Sequence, residues 1–338
     1  MSLDTDIPLL LSLVFMLGGL YVLAKSADMF IEGAGALARH FGVSPLIVGM
    51  VIIGFGTSAP ELAVSALSGI GGHSNLSLGN AYGSCIFNIG AILGVAALIR
   101  PIAVKPSVVW IAAPLLMFVT ALSYFVIADH EFERVNGITL LAAFAIIMPL
   151  YCWYDQKWGK SAETSAPQES TPFADSSRGL GREGFRLLAG LVLLVLSSHV
   201  LVWGSVDFAR DVLHVSDLLI GLTIVAVGTS LPELASAIVS ARKGESEFVI
   251  GNIVGSNLFN TLAVVGLAGT ISPFSNFSPY ILSRDLPLMF GLSLSLSLFG
   301  LNFRNVREGG LISRGKGAIW LLVLLAYLAL MIYQETGS

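Results

Sequence analysis

The chain has 338 residues, of which 55% are hydrophobic and only 12% charged, with a formal net charge of −4 and a mean hydropathy of +0.82. That balance excludes a soluble globular domain and makes a lipid bilayer the expected surrounding; no nucleic-acid partner is expected. Apolar runs of about 20 residues recur along the chain, long enough to cross hydrocarbon as helices and too continuous for the strands of a closed barrel.

Ten membrane helices are predicted, over approximately 7–30, 43–69, 76–98, 107–127, 135–153, 185–206, 215–241, 247–270, 279–300 and 316–334. The chain opens with Asp4 and Asp6 instead of a basic n-region, so a cleaved signal peptide is not expected. The first helix carries Gly18 and Gly19, which would ease sliding, and Asp28 and Glu32 near its end read as salt-bridged or interfacial. The second helix holds the block Gly56-Thr57-Ser58-Ala59-Pro60-Glu61, and the third holds Gly79-Asn80-Ala81-Tyr82-Gly83-Ser84-Cys85-Ile86-Phe87-Asn88. Asp129, Glu131 and Glu133 read as a solvated loop, and residues 154–184, rich in Ser, Thr, Glu, Lys, Gly and Pro, as a mobile cytoplasmic linker. Cys85 and Cys152 both fall within helices, which argues against a disulfide framework.

Both blocks then recur. Gly228-Thr229-Ser230-Leu231-Pro232-Glu233 lies on the seventh helix, and Gly251-Asn252-Ile253-Val254-Gly255-Ser256-Asn257-Leu258-Phe259-Asn260 on the eighth. Thr57 and Thr229, Glu61 and Glu233, Ser84 and Ser256, and Asn88 and Asn260 are all separated by 172 positions. The chain therefore divides into a first five-helix repeat at 1–153, the linker, and a second five-helix repeat at 185–338. Five is an odd number, so the second copy enters the membrane from the opposite side, as in the inverted repeats of secondary transporters. With the N-terminus outside, the inner connections hold fifteen of the 18 Lys and Arg residues, and only Arg134, Arg210 and Arg284 lie outside. That asymmetry predicts two extracytoplasmic termini in a multi-pass protein of the plasma (inner) membrane.

A carboxylate at bilayer depth is costly and points to function. Thr57 and Ser58 stand one helical turn before Glu61, so their oxygens can share a face. Pro60 lacks an N–H and leaves a carbonyl near Gly56 without its helical partner. Asn80, Ser84 and Asn88 line one face of the third helix, as Asn252, Ser256 and Asn260 do on the eighth. The candidate metal ligands are thus Thr57, Ser58, Glu61, Ser84, Asn88, Thr229, Ser230, Glu233, Ser256 and Asn260. All are hard oxygen donors, which suit Ca²⁺, Mg²⁺ or Na⁺ better than Zn²⁺ or Cu⁺. Two carboxylates balance one divalent ion, and Mg²⁺ sheds its water reluctantly, so Ca²⁺ is favoured.

At these residues the chain resembles the cation/Ca²⁺ exchanger superfamily, specifically its Na⁺/Ca²⁺ exchanger branch, in a compact prokaryotic form. The resemblance implies an all-α membrane protein of ten helices in two inverted repeats, the sodium/calcium exchanger fold. It implies that Glu61 and Glu233 bridge ions at the midplane, that Thr57 and Thr229 are Ca²⁺ ligands, and that Ser58, Ser84, Ser230 and Ser256 hold flanking Na⁺ subsites. Asn88 matches a polar ligand position. Asn260 stands where some members, including K⁺-dependent ones, have Asp, which weakens the case for K⁺ co-transport. The proton-coupled branch typically has Asn where Thr57 and Thr229 stand, so Na⁺ coupling is favoured.

The expected activity is secondary antiport of Na⁺ against Ca²⁺ by alternating access, with both ions as transported substrates and no cofactor. The second, third, seventh and eighth helices would form the core, and the first and sixth the moving gate. A proton-coupled Ca²⁺ antiporter remains the alternative, and a passive channel a weaker one, since no repeated pore loop or charge ring is visible. No nucleophile–base pairing stands at membrane depth, so an enzyme is not expected.

Overall fold

The computed structural model describes residues 9–70, 74–158, 180–211, 226–275, 277–302, 305 and 308–336. Helix α1 (Leu9–Phe41) is longer than its apolar stretch predicts. Its second half carries Asp28 and Glu32, which find cationic partners on other helices instead of ending the helix in water. The span expected at 43–69 is not one straight helix. It is α2 (Pro45–Thr57) and α3 (Ala59–Ile70), bent by 43° at Ser58. Ser44 starts α2: its Oγ accepts from the Ile47 N–H at 3.3 Å and donates to Asp155 Oδ2 at 2.5 Å.

Helix α4 runs from Ser74–Phe87 through a widened π-type stretch, Asn88–Leu93, into Gly94–Ile99. Helices α5 (Val108–Val126) and α6 (Arg134–Trp158) come next, then α7 (Leu180–Asp211). Both ends of the expected 154–184 linker are thus helical, and its middle, 159–179, lies outside the described residues. So do residues 215–225 of the seventh predicted span. The rest of that span is α8 (Ala226–Thr229) and α9 (Leu231–Lys243), broken at Ser230. Helices α10 (Ser246–Ile271), α11 (Ile281–Gly300) and α12 (Arg314–Thr336) complete the chain.

Among the described residues, eight helices are long and apolar enough to cross a membrane, or nine if α2 and α3 count as one span. Two short antiparallel strand pairs, not anticipated from the sequence, join distant loops. β1 (Ile102–Val104) pairs with β4 (Gly310–Ile312), and β2 (Glu131–Phe132) pairs with β3 (Phe274–Ser275).

Burial sorts the helices into layers. The most apolar window of α10 is wholly buried and that of α4 largely so. In α6, α7 and α12 little of the window is buried, and it carries large exposed apolar side chains such as Phe185, Leu188 and Leu322, as a lipid-facing layer requires. Helix α2 meets α10 backbone to backbone. A Cβ on Gly54 would stand 2.9 Å from Ser256 N, and one on Gly251 2.9 Å from the Gly49 Cα. That close approach brings the two polar blocks into contact.

Candidate cation-binding site

The helix breaks put the site together. Ser58 and Ser230 have nearly the same non-helical backbone, φ −82°, ψ 8° and φ −91°, ψ 9°. Each precedes a proline two residues on, Pro60 and Pro232, which cannot donate back into the preceding turn. Backbone bonding still runs across the bend, from Ser58 N–H to the Gly54 carbonyl at 3.2 Å and from Leu62 N–H to the Ser58 carbonyl at 3.1 Å. Ser58 Oγ donates to Glu233 Oε1 at 2.9 Å, and Ser230 Oγ donates to Glu61 Oε1 at 3.1 Å. Each carboxylate is held by the serine of the other repeat.

The remaining predicted residues lie on the same broken and widened helices. Ser84 Oγ lies 3.4 Å from Ser230 Oγ. Ser256 Oγ donates to the Gly54 carbonyl at 3.2 Å, beside the π-type stretch Gly49–Gly54 of α2. Thr57 Oγ1 donates to the Ile53 carbonyl at 2.9 Å and lies 3.3 Å from Asn252 Oδ1. Thr229 is half-buried at the end of α8, one residue before the break. Asn88 begins the widened stretch of α4, and Asn260 lies in the matching stretch of α10, Phe259–Val264. Such π-type turns occur often at functional positions, because they leave helix carbonyls and side chains out of the ordinary ladder.

Glu61 and Glu233 are fully buried. Their second oxygens, together with Asn88 Oδ1, both amide atoms of Asn260 and Ser236 Oγ, have no hydrogen-bond partner among the described residues. Buried polar atoms are normally paired, and leaving one unpaired costs on the order of 1–3 kcal/mol, more when it is charged. Two carboxylates, hydroxyls and amide oxygens with free lone pairs are what a hard cation needs.

Several residues outside the predicted set prove to be part of this arrangement. Asn80 Nδ2 donates to the Glu61 carbonyl at 3.1 Å, and Asn252 Nδ2 to the Glu233 carbonyl at 3.3 Å. These two tether the start of α3 to α4 and the start of α9 to α10. Their recurrence in the repeated blocks was the available signal. Asn257 donates to the Cys85 carbonyl at 3.3 Å and accepts from Asn88 Nδ2 at 2.9 Å; its counterpart is Cys85, so the repeat offered no hint of it. Ser198 of α7 donates to the Gly228 carbonyl at 3.0 Å, bringing α7 to the break in the second repeat. Cys85 and Cys152 are both free thiols.

Asp28 and Glu32 lie outside the site, in an ionic cluster. Lys243 Nζ is 3.1 Å from Asp28 and 3.2 Å from Glu32, and Arg186 pairs with Glu32 and with Glu183. Helices α1, α7 and α9 are joined there.

Comparison with known proteins agrees with this architecture. Residues 11–153 and 184–333 match the family described as sodium/calcium exchanger protein. The chain is 39% identical over 321 residues to the putative antiporter CaxA of Alkalimonas amylolytica, covering 94% of this chain and 98% of the relative. It is 28% identical over 352 residues to the sodium/calcium exchanger MaX1 of Methanosarcina acetivorans, covering 95% and 98%. A solved structure of the sodium-calcium exchanger NCX_Mj soaked with Na⁺ and Sr²⁺ superimposes with a TM-score of 0.78 at 28% identity, covering 95% of this chain and 99% of the other. The chain belongs to the sodium/calcium exchanger protein family, and it is a membrane antiporter of cations, not an enzyme.

Proposed function

We propose that the protein exchanges Na⁺ for Ca²⁺ by alternating access, with Glu61 and Glu233 sharing the bound cation between two inverted repeats. The observation that carries this reading is the pair of fully buried carboxylates, each anchored through one oxygen by the other repeat's serine and each with its second oxygen unpaired. Asn88 Oδ1 and Asn260 Oδ1 supply neutral oxygens, and Thr57, Thr229, Ser84 and Ser256 complete the set. One Ca²⁺ or several Na⁺ neutralise the two charges. An empty site carries both into a low-dielectric barrier, at a cost on the order of 3 kcal/mol for each charge on insertion scales, which opposes uncoupled return. Competition for one set of oxygens is what couples the two fluxes.

Na⁺ as the coupling ion is supported by the threonines at 57 and 229 and by the relatives, which include proteins named as sodium/calcium exchangers. Ten spans with both termini outside are inferred from the five-helix repeat and the charge of the loops. In the cycle, α1 and α7 would slide against the core of α2–α4 and α8–α10, with the bend at Ser58 and the break at Ser230 as hinges.

Purified protein in Na⁺-loaded proteoliposomes, diluted into Na⁺-free buffer with labelled Ca²⁺, tests this. Uptake that requires the outward Na⁺ gradient, and needs no K⁺, is expected. Uptake driven by a pH gradient alone would replace Na⁺ with protons as the coupling ion. Gradient-independent uptake would refute antiport of Ca²⁺.

A further inference from the structure

We infer that Asn257 is a positioning residue, which holds the Asn88 side chain so that its amide oxygen, and not its NH₂, faces the cation. This rests on the reading of the cation site given above. A side-chain amide presents an acceptor at one end and donors at the other, and a cation is bound only by the acceptor. What turns Asn88 is a chain of bonds that begins at a group with one possible role. The backbone carbonyl of Cys85 only accepts, so the end of Asn257 that meets it at 3.3 Å is the NH₂. The other end of Asn257 is then its oxygen, and the end of Asn88 that meets it at 2.9 Å is an NH₂ in turn. Asn88 Oδ1 is left buried with no hydrogen-bond partner, one turn beyond Ser84 on the face of α4 that carries the site.

The device exists in one repeat only. The position matching Asn257 is Cys85, whose thiol lies 3.7 Å from the Asn257 carbonyl and 3.6 Å from Thr261 Oγ1. A thiol engaged there does not orient Asn260, and both ends of the Asn260 amide are without partners among the described residues. Asn88 is thus a preset oxygen ligand, and Asn260 one that the ion itself must turn. Presetting removes the cost of ordering a ligand at the moment of binding.

The test titrates Ca²⁺ into Na⁺-free, detergent-solubilised full-length protein by calorimetry. Asn257→Leu, which keeps the branching of Asn without its amide, should weaken Ca²⁺ binding about tenfold, or about 1.4 kcal/mol. Asn257→Asp still accepts from Asn88, though it loses the bond to the Cys85 carbonyl, and should keep more Ca²⁺ affinity than Asn257→Leu. A carboxylate offers oxygen whichever way it is turned, so in an Asn88→Asp background Asn257→Leu should change affinity by less than about twofold. An equal loss in both backgrounds would make Asn257 a packing residue and overturn the inference. An unchanged affinity in Asn257→Leu, or in Asn88→Ala, would overturn it too while leaving the two-carboxylate site standing. Unchanged Ca²⁺ binding in Glu61→Gln would instead refute the site.

Discussion

Ser58 donates to Glu233 at 2.9 Å, and the mirror contact, Ser230 to Glu61, closes at 3.1 Å. Neither repeat can build its own half of the centre, because each serine's acceptor lies on the other copy. Hydrogen bonds to a charged group contribute about 1.5–3 kcal/mol. Ser58→Ala and Ser230→Ala should therefore each weaken Ca²⁺ binding roughly 10- to 100-fold, by similar factors. Equilibrium titration of the two purified variants checks this, and a neutral result for either would break the reciprocity.

Glu61→Gln and Glu233→Gln retain shape and remove one charge each. Labelled Ca²⁺ exchange in proteoliposomes should fall to background in both, while elution volume and helical circular dichroism stay as in the parent. Robust exchange in either variant would exclude a shared two-carboxylate site.

The contact of α2 with α10 leaves no room for a side chain. A Cβ on Gly251 would come within 2.9 Å of the Gly49 Cα. Gly251→Val should lower stability by about 1–3 kcal/mol or separate the helices. Thermal unfolding in detergent reads the loss, and Gly79→Ala, where a Cβ meets nothing within 4 Å, serves as the control.

Lys243 bridges Asp28 and Glu32 at 3.1 and 3.2 Å, with all three side chains partly exposed. Exposed ion pairs contribute little, so Lys243→Gln should cost less than about 1 kcal/mol in thermal unfolding, and less still at high salt. A large, salt-independent loss would show that the cluster is effectively shielded from solvent.

Much of the site was legible because it is written twice. The spacing of Glu61 and Glu233 in duplicated surroundings separated them from ordinary polar residues in helices, and the tethers Asn80 and Asn252 stood in the same blocks. Asn257 was not legible in this way, since its role exists in one repeat only. The full length of α1 was hidden for a different reason: its apolar run ends near residue 30, and the partners of Asp28 and Glu32, Lys243 and Arg186, stand more than a hundred residues away.

The sequence by itself determined the membrane surrounding, the duplication of the two motifs and the kind of donor atoms they carry, because hydropathy, motif spacing and side-chain identity are local properties. Only the tertiary structure decided which serine meets which carboxylate, where the helices bend and widen, and which end of the Asn88 amide meets Asn257. Those depend on close approach between α2 and α10 and between the two repeats. A hydrogen bond is settled by its geometry and not by the order of residues along the chain.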